Sequence, residues 1–201
     1  CARVRMPRMS DKRAELEALA REKAQRSGLR DLSFRTLAEE VGVKSSSVHY
    51  YFPGKGDLTA ALIDNYGREF MQRLQEVNDR HTTLRGKLMA FVDLFEQAAV
   101  DDKVCLCGML AAELTALDEP SRKLLERFFA WTEAWLATTL ETHRADLASG
   151  MTPAKLAAVM MSGLEGVDMA EVCITSAITI SVKAVPKDAF TLESEPGVGV
   201  V

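Results

Sequence analysis

Apolar residues recur at three- and four-residue intervals through most of the chain, the spacing that places them on one face of a helix. A first helix is predicted over residues 11–27. Leu16, Leu19, Ala20, Lys23 and Ala24 follow its period, and Gly28 stops it. A second, capped by Ser33, runs from Phe34 to Val41 and stops at Gly42. A short third opens in Ser45-Ser46-Ser47 and carries Val48 to Phe52 before Pro53-Gly54 breaks it. A long fourth covers residues 56–78, with Leu58, Leu62, Tyr66, Phe70, Leu74 and Val77 on one stripe.

The pattern continues with helices expected over residues 84–100 and 107–117. A seventh starts at the cap signal Asp118-Glu119-Pro120 and runs to about residue 148. An eighth starts at Thr152-Pro153, an N-cap followed by proline at the first helical position. The connections are short, which favours antiparallel neighbours in a bundle. After Gly166 the character changes. Residues 172–185 are β-branched and rich in Thr and Ser, which suits a strand. The bundle context favours a helix over 167–185, and that is the expectation adopted. Residues 186–201 read as a disordered tail. The fold class is all-α.

Composition narrows the class. At 47% hydrophobic and 27% charged the chain can build a core and stay solvated. No stretch of about 18 residues lacks charge, so no membrane span is expected. The first 13 residues are basic and have no apolar stretch of the secretory type. The four cysteines, Cys1, Cys105, Cys107 and Cys173, match no zinc spacing, and a reduced, cytoplasmic protein is expected. The net charge of −4 conceals an asymmetry. Residues 1–56 hold 12 basic and 7 acidic side chains, a balance of +5, so the remainder carries −9. A basic head on an acidic body fits a DNA-facing module joined to one that does not face DNA.

The informative stretch is Leu37 to Leu58, LAEEVGVKSSSVHYYFPGKGDL. Leu37, Ala38, Val41, Val43 and Val48 can hold two short helices at a steep angle, and Gly42 sits at the turn between them. The serine run then places short polar side chains and backbone N–H groups at the helix end that would enter a major groove. Tyr50, Tyr51 and Lys55 add hydroxyls and a cation within reach of the sugar-phosphate backbone.

The run Leu37-Ala38-x-x-Val41-Gly42-Val43, then Ser47-Val48-x-Tyr50-Tyr51-Phe52-x-x-Lys55-x-x-Leu58, resembles the DNA-binding segment of the TetR (tetracycline-repressor) family. The likeness covers residues 10–80, and Cys105 to Glu113 also resembles the start of the sixth helix in one branch. His49 stands where many members have Tyr. The resemblance implies an N-terminal three-helix helix-turn-helix headpiece (10–56), an effector-binding and dimerising bundle (57–185) and a tail (186–201). It implies base-edge contacts from Ser45, Ser46 and His49, with Tyr50 near the groove wall. Ser47, Tyr51, Lys55, Ser33, Arg35 and Thr36 would contact phosphates, and Lys44 would add a further contact. Val48 and Phe52 are expected in the core.

Other constellations carry less. Cys105-x-Cys107 reads as buried structural thiols or as a redox sensor. His49, His81 and His143 are far apart, no catalytic or cofactor pattern appears, and neither an enzyme nor a metal or cofactor is expected. Met71, Met89, Met109, Phe128, Trp131, Trp135 and Met160 could line a cavity for a small apolar or amphipathic effector, or simply form core. Leu156, Val159, Met160, Gly163 and Leu164 are expected on an apolar surface that pairs with a second copy. Double-stranded DNA with a palindromic operator, an effector and a homodimer partner are the expected partners. The rivals are an effector-free architectural DNA-binding protein and, less favoured, an enzyme or scavenger.

Overall fold

In a computed structural model, residues 9–30, 32–98, 103–147 and 150–170 are described, and their regular structure is helical throughout. The order is α1 (Met9–Ser27), α2 (Phe34–Val41), α3 (Ser45–Tyr51), α4 (Lys55–Arg80), α5 (Leu84–Ala98), α6 (Leu106–Ala112), α7 (Glu119–Thr142) and α8 (Pro153–Ala170). Single 3-10 turns lie at Leu114–Ala116 and Arg144–Asp146. Most of the helix expected over 167–185, and all of the tail expected at 186–201, fall outside the described residues.

Local chemistry sets these boundaries. The Ser33 side chain accepts the Thr36 N–H at 3.1 Å and starts α2. Gly42 ends it at φ 71°, ψ 39°, and Val43 N–H donates to the Ala38 carbonyl at 2.9 Å. Only this left-handed turn lets Val43 fold back while α3 leaves at a new angle. Asp57 accepts the Gly54 N–H at 2.8 Å to open α4, and Asp118 caps α7 by accepting from Ser121 at 3.0 Å. Bonding to Ser121 holds the Asp118 carboxyl below the ordinary carboxylate range.

Two helix ends differ from the sequence reading by more than two residues. The sixth helix ends at Ala112 rather than at residue 117, and the chain tightens through Leu114–Ala116 so that Leu117 turns into the core. The seventh ends at Thr142, and its last turn becomes the 3-10 turn Arg144–Asp146.

The headpiece core joins Leu16, Ala20, Leu37, Val48 and Phe52, so Val48 and Phe52 are core as expected. In the body, Phe70, Phe91, Phe95 and Phe128 pack edge to face around α4, α5 and α7. α8 lies along α7 and closes the bundle. Helix α4 serves both halves, because Leu58 and Leu62 pack near the headpiece and Phe70 to Val77 pack in the body.

Polar ties cross between the halves. Gln25 on α1 exchanges two hydrogen bonds with Val104, its amide donating at 3.0 Å and its carbonyl accepting at 3.2 Å. Leu29 N–H donates to the Glu113 carboxylate at 2.7 Å. Arg21 pairs with Glu69 at 2.6 Å and lies over the Tyr66 ring at 4.7 Å.

Candidate nucleic-acid interface

α2 and α3 stand on the buried anchors Leu37, Ala38, Val48 and Phe52, which fix the outward face. On that face Ser45, Ser46, His49 and Tyr50 are exposed, Tyr50 by 71%. Tyr51 meets Tyr50 edge to face at 5.4 Å and packs inward, so its ring is partly a hinge contact. The His49 ring sits edge-on to Phe34 at 4.9 Å, and its Nδ1 lies 3.4 Å from the Pro53 carbonyl. Phe34 on α2 therefore sets the direction of a side chain on α3, a contact the sequence reading missed.

The charges sort in a useful way. Several headpiece cations are already paired: Lys12 with Glu15 at 2.6 Å, Arg13 with Glu17 at 2.8 Å, Lys23 with Glu40 at 2.8 Å. Among the described residues Arg35 meets a carboxylate only in a long, open contact to Glu39 at 3.6 Å. Lys44 and Lys55 pair with no carboxylate among the described residues. The Lys55 ammonium donates to the Leu29 carbonyl, which ties the start of α4 to the α1–α2 turn while its side chain stays exposed. Ser33 and Thr36 bond each other at 2.8 Å as part of the α2 cap and remain at the surface. Ser33, Arg35, Lys44, Ser45, Ser46, His49, Tyr50 and Lys55 are thus exposed on or beside α2, α3 and the start of α4, Thr36 and Ser47 are half-buried, and Tyr51 packs partly against the core.

The body residues picked from sequence do not assemble into one lining. Phe128 and Met160 are buried in the core, whereas Met89 and Trp131 are about half exposed, at 48% and 49%. Arg127 covers the Trp131 ring at 4.9 Å. Met71 and Trp135 are partly buried against the core, and Met109 is half-buried. Trp135 lines a cleft of about 410 Å³ with Asn78, Lys87 and three threonines.

The five residues expected to face a second copy split as well. Leu156, Met160 and Leu164 are buried within their own chain, and Val159 is 43% exposed with Gly163 half-buried beside it. Positions i, i+4 and i+8 share one helical face, and here that face meets the chain's own bundle. The open side of α8 carries Lys155, Ala158, Val159 and Ser162.

Cys105 and Cys107 are fully buried thiols, and Tyr66 donates to the Cys105 sulfur at 3.5 Å. Burial first, and the neighbouring Cys105 second, push the Tyr66 hydroxyl well above its ordinary pKa. None of the described helices is long and apolar enough to cross a membrane.

Known proteins share both parts of this arrangement. Residues 17–62 match the family profile described as bacterial regulatory proteins, tetR family. An uncharacterised helix-turn-helix transcriptional regulator of Lactococcus lactis is 26% identical over 133 residues, covering 64% of this chain and 68% of that protein. The crystal structure of a TetR-family transcriptional regulator from Agrobacterium tumefaciens superposes with a TM-score of 0.80 at 22% identity, covering 89% of this chain and all of that one. A short stretch of 42 residues is 55% identical to isoleucine–tRNA ligase of Bartonella quintana, which is 21% of this chain and only 4% of the ligase. The chain therefore spans a small fraction of that enzyme's length. Residues 17–62 therefore carry the profile of the tetR-family bacterial regulatory proteins, and the chain as a whole shares the all-helical fold of such regulators.

Proposed function

We propose that the chain is a homodimeric repressor that binds a palindromic operator and is released by a small apolar or amphipathic effector held in the body. The observation that carries this reading is the exposed edge of α3 on a rigid core: Ser45, Ser46, His49 and Tyr50 are open, flanked by Lys44 and Lys55, which pair with no carboxylate among the described residues. Short polar side chains can read base edges there, while the cations and hydroxyls around them fix the register on phosphates. Operator release follows from linkage, since an effector shifts DNA affinity only by its own preference between body conformations. α4, anchored at Lys55 and packed deep in the body, is the lever. The closed thiols support structural roles for Cys105 and Cys107 rather than oxidant sensing.

Selection from a random duplex pool tests the reading. A twofold-symmetric site should emerge, with half-sites separated by whole helical turns, and affinity should fall steeply with salt because several cations per headpiece displace counterions. Recovery of no common motif would favour the architectural rival.

Single variants separate the assigned roles. Lys55→Ala should weaken binding to specific and unrelated duplexes alike and flatten the salt slope by about one unit per headpiece. Thermal melting checks the lost Leu29 contact separately. Ser46→Ala should instead relax discrimination at one base position, by roughly fivefold per half-site. Unchanged non-specific affinity in Lys55→Ala would remove that residue from the phosphate set.

A further inference from the structure

His49 stands on the same face of α3 as Ser45 and Ser46, four and three residues before it, and all three are exposed. Two neighbours restrain its ring. Phe34, half-buried at the start of α2, meets it edge to face, with centroids 4.9 Å apart and planes inclined at 67°. The Pro53 carbonyl lies 3.4 Å from Nδ1. Pro53 sits in the break between α3 and α4, and no backbone N–H among the described residues donates to its carbonyl.

A carbonyl oxygen can only accept, so the Nδ1 that meets it carries the hydrogen and donates. An uncharged imidazole has a single N–H, and the bond made by one nitrogen fixes the state of the other. His49 is thereby held with its hydrogen on Nδ1, and Nε2 keeps its lone pair. The two nitrogens diverge across the ring, so Nε2 turns away from Pro53, and it bonds to no group among the described residues. A serine hydroxyl on this face can donate or accept, whereas Nε2 can only accept. Its complement is an N–H donor. In the major groove the base edges offer two, the N6 amino group of adenine and the N4 amino group of cytosine.

We propose that His49 reads an exocyclic base amino group through Nε2, with Pro53 setting the tautomer and Phe34 the direction of the ring. The proposal rests on the operator reading and deepens it by naming the group that is read. Every base pair carries one such amine in the major groove, at a place that differs between the four pairs. His49 therefore discriminates by where the amine lies.

Two measurements test this. Nitrogen NMR on the isotopically labelled full chain, free of DNA and at mildly alkaline pH, reads the tautomer, and His49→Ala assigns the signal. Nε2 should resonate as an unprotonated imidazole nitrogen and Nδ1 as a protonated one. A hydrogen on Nε2 would overturn the proposal. The second measurement uses duplexes selected by the unaltered chain. The base pair whose preference relaxes in His49→Ala is remade in both half-sites without its amine, as purine for adenine or 2-pyrimidinone for cytosine. Affinity should fall roughly 25-fold, about fivefold for each half-site. His49→Ala should lose only what the weakened base pairing costs, so the cycle isolates the histidine's share. Replacing the purine of that pair by its 7-deaza form, which removes the N7 acceptor instead, should leave affinity unchanged. Phe34→Leu should shrink the histidine's share without touching non-specific affinity, and Phe34→Tyr should retain it. A share indifferent to Phe34→Leu would remove the positioning role. A loss that follows N7 rather than the amine, or an equal loss with and without His49, overturns the contact and leaves the operator reading in place. Selection that yields no motif ends both, whatever the tautomer.

Discussion

Val159→Glu should convert a dimer into monomers and lower operator affinity by roughly 100- to 10,000-fold, the range lost when two linked binding events become one. Val159 is a large apolar residue left 43% exposed on α8, among Ala158, Ser162 and Gly163. Small residues allow a second helix to approach closely there. In a closed twofold interface a glutamate near the axis meets its own copy, so each pair adds two like charges and removes them from water. Leu156→Glu is the contrasting control. Leu156 is fully buried inside its own chain, so its charge should unfold the protein rather than only separate subunits. Sedimentation at micromolar concentration, with fluorescence anisotropy on labelled operator, distinguishes the two outcomes. A Val159→Glu chain that remains dimeric would move the interface off this face of α8.

Gly28→Ala should destabilise the chain by about 2–5 kcal/mol, the sum of a left-handed residue with a side chain and a lost bond to a charged group. Gly28 sits at φ +72°, where L side chains are strained. A Cβ built there would lie 2.6 Å from Glu113 Oε1 and 2.8 Å from Glu113 Cδ. Both strains act at once, because the carboxylate would have to abandon the Leu29 N–H that it accepts at 2.7 Å. For a chain of this size the melting temperature should fall by roughly 5–15 °C. Glu113→Ala removes the obstacle together with the bond, so the double variant should be less unstable than the sum of the single ones. Additive losses in that cycle would show that the two positions do not act through each other. The same contact joins the end of α6 to the turn before α2, so its loss should also loosen the headpiece against the body.

Much of this was legible in the sequence because the signals were local. Ser33, Gly42 and Pro53-Gly54 start and stop short helices through their own backbone chemistry, and the α2–α3 unit appears where they place it. Val48 and Phe52 could be assigned to the core because their neighbours are polar and the helical period leaves them only one direction to face. The candidate contacts on α3 came instead from the resemblance of that segment to the TetR family.

α8 was different. Apolar and small residues surround much of its circumference, so no single stripe could declare which side meets the chain's own core and which a partner. The packing of α7 decided that Leu156, Met160 and Leu164 turn inward and Val159 outward. Helix α7 posed the same problem with Phe128, Trp131 and Trp135, which lie buried, half-open and beside a cleft respectively. The ties at Gln25–Val104 and Leu29–Glu113 span 79 and 84 residues. The sequence by itself determined which segments are helical, where the short ones stop, and which headpiece side chains point outward, since each follows from neighbours within a few residues. The tertiary structure alone decided how the body's excess of apolar residues is shared between core, cleft and open surface. That depends on which helix arrives opposite each face, and contacts between residues distant in sequence leave no periodic trace along the chain.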